Sequence, residues 1–294
     1  MILVDLNQIM IANLLQQLGK SFKVDPNLIR HMILNSLRMY KVKFGDKYGD
    51  LVICCDDKHY WRRDLYPYYK IHRKKARDDS NLDWNAIFEV LNGVRDDLKK
   101  YFPYKVLHVE HAEADDLIAA VVHKHGHLGP FTDAGVYDGV RHEQILILSS
   151  DKDFGQLQKY ANVEQFSPNQ KKYVRVPNPE RFIYEHILRG DRGDGIPNFL
   201  SEDDTFVTGK RQKPLTVKKL DKWYGLDLKD FCDEKMLRGY HRNRQLVDLD
   251  YIPDDIENQA IDQLDNYKMN DRSKLFNYFV KKKLKGLMDV IQEF

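Results

Sequence analysis

Carboxylates follow four apolar runs of this chain, either directly or within a few residues of the end of the run. The positions are Asp5 after residues 2–4, Asp56 and Asp57 after residues 51–55, Glu113, Asp115 and Asp116 after residues 106–109, and Asp151 and Asp153 after residues 145–148. Short continuous apolar runs are typical of strands that are buried on both faces of a parallel sheet. Since ligands bind at the carboxyl ends of such strands, we expect the four acidic groups to meet at one edge of a sheet.

A cluster of carboxylates requires a counter-charge. Two carboxylates 4 Å apart repel each other by roughly 4 kcal/mol even at an effective dielectric of 20. Mg²⁺ and Mn²⁺ are hard cations that prefer oxygen ligands, and they are the expected partners of such a cluster. The sequence therefore predicts a metal-dependent enzyme.

Each acidic group has a simpler explanation when it is considered alone. Glu113, Asp115 and Asp116 would complement the macrodipole at the N-terminus of a helix predicted over residues 113–125. The same strand-end arrangement recurs after the run 145–148, and this recurrence favours a shared metal site. A further pair, in the glycine-rich turn 190–197, is Asp191 and Asp194. This pair would either complete a second metal site or lie exposed beyond the end of a helix.

The order of the predicted elements indicates an α/β fold with a mainly parallel sheet and flanking helices. Strands are predicted at residues 1–5, 51–55, 105–109, 145–149, 163–166 and 172–176, and helices at about 26–44, 84–101, 113–125 and from about 153. Asp25 and Pro26 provide the N-cap and first position of the first predicted helix, which Gly45 is expected to end. After about residue 180 the strand signals disappear, so we predict a domain over 1–180 and a smaller helical domain over 181–294.

A basic and aromatic segment lies between the second and third predicted strands. Residues 58–77 contain eight Lys or Arg and one acid, with five aromatic residues among them. Lys70 and Arg73 would share one face of a helix there, since they are three positions apart. Such a segment beside a metal site is typical of proteins that bind a phosphate backbone, although a solvated charged helix would show the same composition.

Composition limits the other classes of protein. The net charge of the 294-residue chain is only +2, and its three cysteines form neither a disulfide framework nor a zinc pattern. No apolar run approaches the length of a membrane span, and the N-terminus does not resemble a signal peptide. We therefore expect a monomer in a reducing cytoplasm, with no membrane segment.

Together these residues resemble the flap endonuclease family of structure-specific 5′ nucleases, and within it the ribonucleases H of T-even bacteriophages. The resemblance covers nearly the whole chain. Its motifs are residues 4–8 (VDLNQ), 60–64 (YWRRD), Tyr69-Lys70 with Arg73, 113–116 (EADD), 149–157 (SSDKDFGQL), Gly190-Asp191 with Asp194, 250–254 (DYIPD) and 277–281 (NYFVK). Several of these motifs are specific, and they follow one another in the order of the family.

The resemblance implies a PIN-like nuclease domain with a helical arch at about residues 58–80, and a C-terminal helix–three-turn–helix that binds duplex backbone. It also implies two Mg²⁺ sites, in which Mn²⁺ is expected to substitute. The first site would be lined by Asp5, Asp56, Glu113, Asp115 and Asp151, and the second by Asp116, Asp153, Asp191 and Asp194. The Tyr-Trp-Arg-Arg motif that follows the second strand favours Asp56 over Asp57 as the ligand.

Catalytic and nucleic-acid-binding residues also follow from the resemblance. Lys70 and Arg73 would act at the scissile phosphate, and Asp115 and Asp116 would serve catalysis through the metal ions. The predicted contacts to nucleic acid are Arg62, Arg63, Tyr69, Lys70, Arg73, Lys74, Lys210 and Arg211.

The implied function is Mg²⁺-dependent hydrolysis of phosphodiesters near the 5′ ends of strands in DNA duplexes, RNA·DNA duplexes and flaps. For a phage protein this means removal of RNA primers from lagging-strand fragments in the host cytoplasm, with a single-stranded-DNA-binding protein and a sliding clamp as expected partners. Two alternatives are a nucleic-acid-binding scaffold without catalysis and a PIN-type ribonuclease that cuts single-stranded RNA. The scaffold would be expected to lose its metal carboxylates, and the ribonuclease would lack the arch and the C-terminal helices.

Overall fold

The structure, a computed structural model, describes residues 1–18, 25–80, 82–129, 136–137 and 140–294. The chain divides into two compact units that are each made of separate segments. Unit 1 comprises Met1–Lys58, Leu82–Arg175 and Asp254–Phe294, and unit 2 comprises His59–Asn81 and Val176–Pro253. These units are defined by spatial contacts, and the domain boundary near residue 180 stays a prediction.

Unit 1 is built on a mostly parallel six-stranded sheet. The strands of the chain are β1 (Ile2–Asp5), β2 (Leu51–Cys54), β3 (Lys105–Leu107), β4 (Val136–Tyr137), β5 (Val140–Arg141), β6 (Ile145–Leu148), β7 (Val163–Ser167) and β8 (Lys172–Val174). The order across the large sheet is β3-β2-β1-β6-β7-β8, in which only β8 is antiparallel to its neighbour, while β4 and β5 form a separate antiparallel pair. The predicted α/β fold class is confirmed.

The strand order places a ligand-binding edge beside β1. Strands β2 and β3 follow β1 in the chain and lie on one side of it within the sheet. Strands β6 and β7 come later in the chain and lie on the other side of β1. Open α/β sheets bind ligands at the carboxyl ends of the strands where the order reverses in this way. Leu3 pairs with Val52 on one side and Ile147 on the other, so the carboxyl ends of these three strands lie close to one level.

Twelve α-helices are found in the described part of the chain. They are α1 (Leu6–Leu18), α2 (Pro26–Tyr48), α3 (Trp61–Leu65), α4 (Ile71–Asp78), α5 (Trp84–Tyr101), α6 (Ala114–His125), α7 (Pro179–Arg189), α8 (Val217–Trp223), α9 (Glu234–Val247), α10 (Asp254–Asp265), α11 (Ser273–Lys281) and α12 (Lys285–Met288). Short 3-10 helices occur at Lys152–Lys159, Arg192–Asp194, Leu228–Asp230, Leu249–Tyr251 and Ile291–Glu293. Among the helices so described, none is long and apolar enough to span a membrane.

Helix α2 begins where the sequence predicts and ends later. The Asp25 carboxylate accepts hydrogen bonds from the backbone N–H groups two and three residues on, at 2.9 and 3.1 Å, as an N-cap does. The prediction that Gly45 ends the helix is wrong, because the helix continues to Tyr48. Gly49 follows with a φ of 87°, which favours glycine, and its N–H donates to the Gly45 carbonyl at 2.8 Å.

The core of unit 1 includes the last segment of the chain. Helices α2 and α5 pack beside the sheet, and α11 and α12 complete the same hydrophobic cluster. Leu275, Tyr278, Phe279, Leu287 and Phe294 are each no more than 2% exposed within it. A segment that the sequence assigns to the helical second domain therefore packs with the sheet.

Unit 2 contains α3, α4, α7, α8 and α9, and its core is divided into two small clusters. The buried members are Tyr66, Tyr69, Ile187, Ile196, Leu246 and Val247 in one cluster, and Leu188, Phe199 and Leu220 in the other. The first cluster joins the aromatic side chains of the basic segment to α7, α9 and the turn after α7. The basic segment is thus part of the packing of unit 2 as well as part of its surface.

Candidate active site

The end of β1 carries a buried carboxylate in an acidic environment. Asp5 is 7% exposed, and its two oxygens accept hydrogen bonds from the Gln8 N–H and the Ser149 hydroxyl, both at 3.0 Å. Burial, followed by the negative charge of Asp56, raises the pKa of Asp5 to about 7, with a smaller contribution from Asp151. The hydrogen bonds oppose this change and do not overcome it. The carboxylates at the ends of β1, β2 and β6 are therefore near enough to repel one another.

Asp56 and Asp57 point to different surroundings. Asp56 accepts hydrogen bonds from the Ala114 N–H at 2.7 Å and from the Asn7 side-chain amide at 2.5 Å. Asp57 accepts from the His111 N–H at 3.0 Å instead. Of the two, the structure brings Asp56 to the group around Asp5, in agreement with the motif-based choice, while its role as a metal ligand stays a prediction.

Helix α6 brings its acidic first turn to the same edge of the sheet. Glu113 is the N-cap residue, and its N–H donates to the Asp116 carboxylate at 2.9 Å. Glu113 and Asp116 are only 2% and 0% exposed. Burial raises the pKa of the Cys54 thiol, and the charges of Asp5 and Asp115 raise it further. Glu113 and Asp116 form a capping box at the start of the helix, as the simpler explanation requires, and the charge of Asp115 acts on Cys54 at the end of β2.

The loop after β6 supports the remaining acids of unit 1. The buried Ser149 hydroxyl donates to Asp5 and accepts from the Asp151 N–H at 3.1 Å. Asp151 caps the following 3-10 helix by accepting from the Asp153 N–H at 2.9 Å. The Gln8 side-chain oxygen accepts a hydrogen bond from the N–H of Ser150, which lies between Ser149 and Asp151, at 2.6 Å. Ser149, Gln8 and Asn7 were not predicted as site residues, although all three stand in the motifs that carry the family resemblance.

In unit 2, a sharp turn after α7 carries the other predicted acids. Asp191 is 8% exposed, and one of its carboxylate oxygens accepts from the N–H groups of Gly193 and Asp194 at 2.6 and 3.2 Å. Gly190 precedes the turn with a φ of 65°. The carboxylate of Asp191 thus shapes the turn, and the assignment of both acids to a second metal site stays a prediction.

Alanine at Gly190 is expected to destabilise unit 2 strongly. A Cβ there would lie 2.5 Å from the carbonyl oxygens of Ile196 and Pro197, at a φ that side chains rarely adopt. We expect Gly190→Ala to cost about 3 kcal/mol or more, measured by chemical denaturation. Gly225 is the matched control, since it has a φ of 80° but open space around its Cβ position. Gly225→Ala should cost about 1 kcal/mol, and equal losses in the two variants would argue against a close contact at Gly190.

Asp194 organises the two predicted catalytic cations. Its carboxylate forms ion pairs with Arg73 and with the Lys70 ammonium, the latter at 3.6 Å, and it accepts from the Tyr69 hydroxyl at 3.3 Å. Its carbonyl accepts from the Lys70 N–H at 2.8 Å. The prediction that Lys70 and Arg73 share a helical face is wrong, because α4 begins at Ile71 and Lys70 lies before it with a φ of 55°. The two cations meet through Asp194 rather than through helical spacing.

The predicted nucleic-acid contacts differ in their exposure. Arg62 and Tyr69 are each 3% exposed; Arg62 donates to the Leu246 carbonyl at 2.9 Å, and Tyr69 belongs to the core of unit 2. The predicted contact of Tyr69 or Arg62 with nucleic acid does not fit this burial. The exposed members of the set are Arg63, Arg73, Lys210 and Arg211. Lys74 lies on α4, and its side chain is outside the described part of the chain.

Comparison with known proteins identifies the class to which this fold and this acidic edge belong. Residues 12–185 match the family model of the 5′-3′ exonuclease N-terminal resolvase-like domain, and residues 178–294 match that of the T4 RNase H C-terminal domain. The chain therefore belongs to the 5′-3′ exonuclease family, and it is a nuclease. The predicted family and enzyme class are confirmed.

Individual relatives agree with this assignment. The chain is 36% identical over 303 residues to the ribonuclease H of Enterobacteria phage T4. The alignment covers 99% of this chain and 95% of that protein. A structure of the bacteriophage T5 D15 protein co-crystallised with metal ions superposes with a TM-score of 0.60 at 17% identity, covering 90% of this chain and 98% of that one. A second T5 structure, of the D15 flap endonuclease in a pseudo-enzyme–product complex with DNA and metal ions, gives a TM-score of 0.58 at 18% identity, covering 90% and 97%. These two structures establish the fold.

Proposed function

We propose that this nuclease depends on Mg²⁺ and hydrolyses phosphodiesters near the 5′ end of a strand within a DNA duplex, an RNA·DNA duplex or a flap. The observation that carries the proposal is the group of carboxylates at the carboxyl edge of the sheet, where burial and the charge of Asp56 raise the pKa of Asp5. Such a group suits a hard divalent cation. The names of the T4 and T5 relatives, a ribonuclease H and a flap endonuclease, support the substrate class.

The residues present fit two metal ions, because every candidate ligand is a carboxylate oxygen and several are buried beside one another. The first ion would be held by Asp5, Asp56, Glu113, Asp115 and Asp151. The family resemblance assigns Asp116, Asp153, Asp191 and Asp194 to the second ion. Bound ions of this kind lower the pKa of a water molecule and stabilise the leaving oxygen, and Mn²⁺ is expected to replace Mg²⁺ in both roles.

The chain's own cations would act on the phosphate. Lys70 and Arg73 bear charges that offset the negative charge developing on the phosphate during hydrolysis. Because Asp194 contacts both side chains and the backbone of Lys70, the two charges are oriented before a substrate binds. Preorganised charges of this kind favour the transition state more than the bound substrate. No protein side chain is required as the nucleophile.

Exposed basic residues would bind the duplex beyond the cleavage site. Lys210 and Arg211 lie exposed in unit 2 and are available for backbone phosphates. For a phage enzyme of this class, the physiological substrate would be the RNA primer of a lagging-strand fragment in the cytoplasm of the host. A single-stranded-DNA-binding protein and a sliding clamp are the proposed protein partners.

The proposed function is tested with an RNA-primed DNA duplex labelled at its 5′ end. Wild-type protein with Mg²⁺ should release short 5′ products, and EDTA should abolish them. The variant Asp115→Asn/Asp153→Asn should bind the duplex without cutting it, because the basic residues of unit 2 are unchanged. If the wild type binds and never cuts with any divalent ion, the scaffold alternative is correct. Equal cutting of unpaired RNA would instead favour the single-strand ribonuclease.

Divalent ions should stabilise the protein against heat. A ligand at 100 times its dissociation constant contributes about 2.7 kcal/mol, which corresponds to a Tm increase of about 5–10 °C. We expect this increase when Mg²⁺ or Mn²⁺ is added to EDTA-treated protein, as followed by scanning calorimetry. Asp5→Asn/Asp151→Asn should show less than a third of the increase, and NaCl of matched ionic strength should not reproduce it. An equal increase in the variant would place the ions elsewhere.

A further inference from the structure

The loop between β3 and α6 has an unusual backbone conformation just before the acidic turn. His111 has a φ of 63°, a value that non-glycine residues rarely adopt. Residues in such conformations persist where the surrounding structure fixes them, and they cluster at functional sites. The next residues along the chain are Ala112 and Glu113, which are 0% and 2% exposed. The candidate metal ligand Glu113 therefore follows directly after a loop, 108–112, whose backbone is constrained.

Asp57 holds this loop from the side of β2. Its backbone N–H donates to the Ala112 carbonyl at 2.9 Å, and its carboxylate accepts from the His111 N–H at 3.0 Å. The other carboxylate oxygen faces the His108 imidazole, 3.4 Å from Nε2. One residue thus contacts the start, the strained position and the end of the loop.

Gln263, in the C-terminal segment of unit 1, also holds the loop. This residue of α10 accepts from the His108 N–H at 3.0 Å through its side-chain oxygen, and its side-chain NH₂ group donates to the His108 carbonyl at 2.9 Å. Through these two bonds the Gln263 side chain pairs with the backbone of His108 as a neighbouring strand would, one residue beyond the end of β3. Helix α10 packs along α6, so the same helix contacts both the loop and the element that follows it.

We propose that Asp57 and Gln263 are positioning residues that hold the loop 108–112 and thereby place the carboxylates of Glu113 and Asp116 for metal binding. Asp57 is then not a ligand itself. Glu113 and Asp116 are linked directly, because the Asp116 carboxylate accepts a hydrogen bond from the Glu113 N–H at 2.9 Å. A shift of Glu113 would therefore also shift the Asp116 carboxylate. The statement about metal rests on the proposed function, whereas the statement about the loop does not.

Hydrogen exchange in metal-free protein tests the loop alone. Asp57→Ala should speed amide exchange at His111 by tenfold or more, because the acceptor of that N–H is removed. Asp57→Asn should change it less than threefold, since the side-chain amide oxygen can still accept the bond. Gln263→Met should speed exchange at His108 in the same way. Unchanged exchange in Asp57→Ala and Gln263→Met would overturn the positioning role, whatever the metal experiment shows.

Mn²⁺ binding, measured by isothermal titration calorimetry without substrate, tests the consequence. Residues that orient ligands typically contribute 10–100-fold to metal affinity, so we expect a loss of this size for Asp57→Ala and a loss below threefold for Asp57→Asn. The number of ions bound should stay that of the wild type, whereas Asp56→Asn should remove one. The control is Asp96→Ala, which removes a carboxylate of unit 1 whose side chain is 68% exposed.

The two readouts separate the possible failures. If Asp57→Asn loses a bound ion as Asp56→Asn does, Asp57 is a ligand and the positioning role is overturned. If wild-type protein binds no Mn²⁺, the proposed function fails, and the exchange at His111 still decides the role of Asp57. Wild-type Mn²⁺ affinity in Asp57→Ala would overturn the link between the loop and the metal.

Discussion

Asp5→Asn is expected to lower the rate of phosphodiester hydrolysis by about 10²–10⁴-fold while making the metal-free protein more stable. A metal ion contributes several kcal/mol to the transition state, and each 1.36 kcal/mol corresponds to about a factor of ten. In metal-free protein the same carboxylate is buried beside other carboxylates, and its replacement removes the cost of burying the charge together with the repulsion by Asp56, about 1–3 kcal/mol in all. The amide fits the position, because the Ser149 hydroxyl that donates to Asp5 can accept a bond instead. Cleavage assays and chemical denaturation in EDTA measure the two effects.

Asp97→Asn is the matched control, because Asp97 is a largely buried carboxylate of unit 1 that lies among cations. It accepts from the Tyr278 hydroxyl at 3.0 Å and pairs with Arg30 at 3.3 Å and Lys282 at 3.4 Å. Its replacement should leave cleavage within twofold and destabilise the protein by about 1–3 kcal/mol. The two variants should therefore differ in the size of the change in cleavage rate and in the sign of the change in stability. Retention of activity in Asp5→Asn within tenfold would exclude Asp5 as a ligand.

Lys70→Ala and Arg73→Ala are each expected to lower the single-turnover cleavage rate by about 10²–10³-fold, with duplex affinity changed less than threefold. Removal of one preorganised group that stabilises transition-state charge has this effect in other enzymes. The double variant should lose less than the product of the two factors, because both cations pair with Asp194 and would serve one phosphate.

Lys229→Ala provides the control for this pair, since the Lys229 side chain is 78% exposed in unit 2 and pairs at the surface with Asp227. Its cleavage rate should equal that of the wild type. A loss of duplex affinity in Lys70→Ala or Arg73→Ala at an unchanged single-turnover rate would show that these cations bind substrate without acting on the reaction.

Strands β1, β2 and β6 were predictable because each belongs to a short apolar run that a polar residue follows. Helix α1 was not assigned from the sequence, although its N-cap was visible. Asp5 accepts from the Gln8 N–H three residues on, as an N-cap does, so one carboxylate ends the strand, caps the helix and joins the acidic group. One residue has all three roles, and only its positions at the strand end and in the acidic group were predicted from the sequence.

Other features depend on packing that local patterns do not contain. Gly45 and Gly49 carry the same helix-ending signal, and the burial of Phe44 and Tyr48 on the core decides in favour of Gly49. The exposure of Arg62 depends in the same way on the Leu246 carbonyl, which is 184 residues away in the sequence. Amphipathic helices such as α11 show that one face is buried, but they do not show against which core.

The three separate segments of unit 1 have a consequence for biosynthesis. Gln263 and the buried side chains of α11 are synthesised after the acids of the sheet edge, and the last residue of unit 1, Phe294, follows Asp153 by 141 residues, or roughly 7–30 s at 5–20 residues per second. A nascent chain would carry the carboxylates without the helix that braces their loop. Acquisition of cleavage activity would then coincide with the emergence of Asp254–Phe294, and translation products truncated before α10 would not cut the nucleic acids around them.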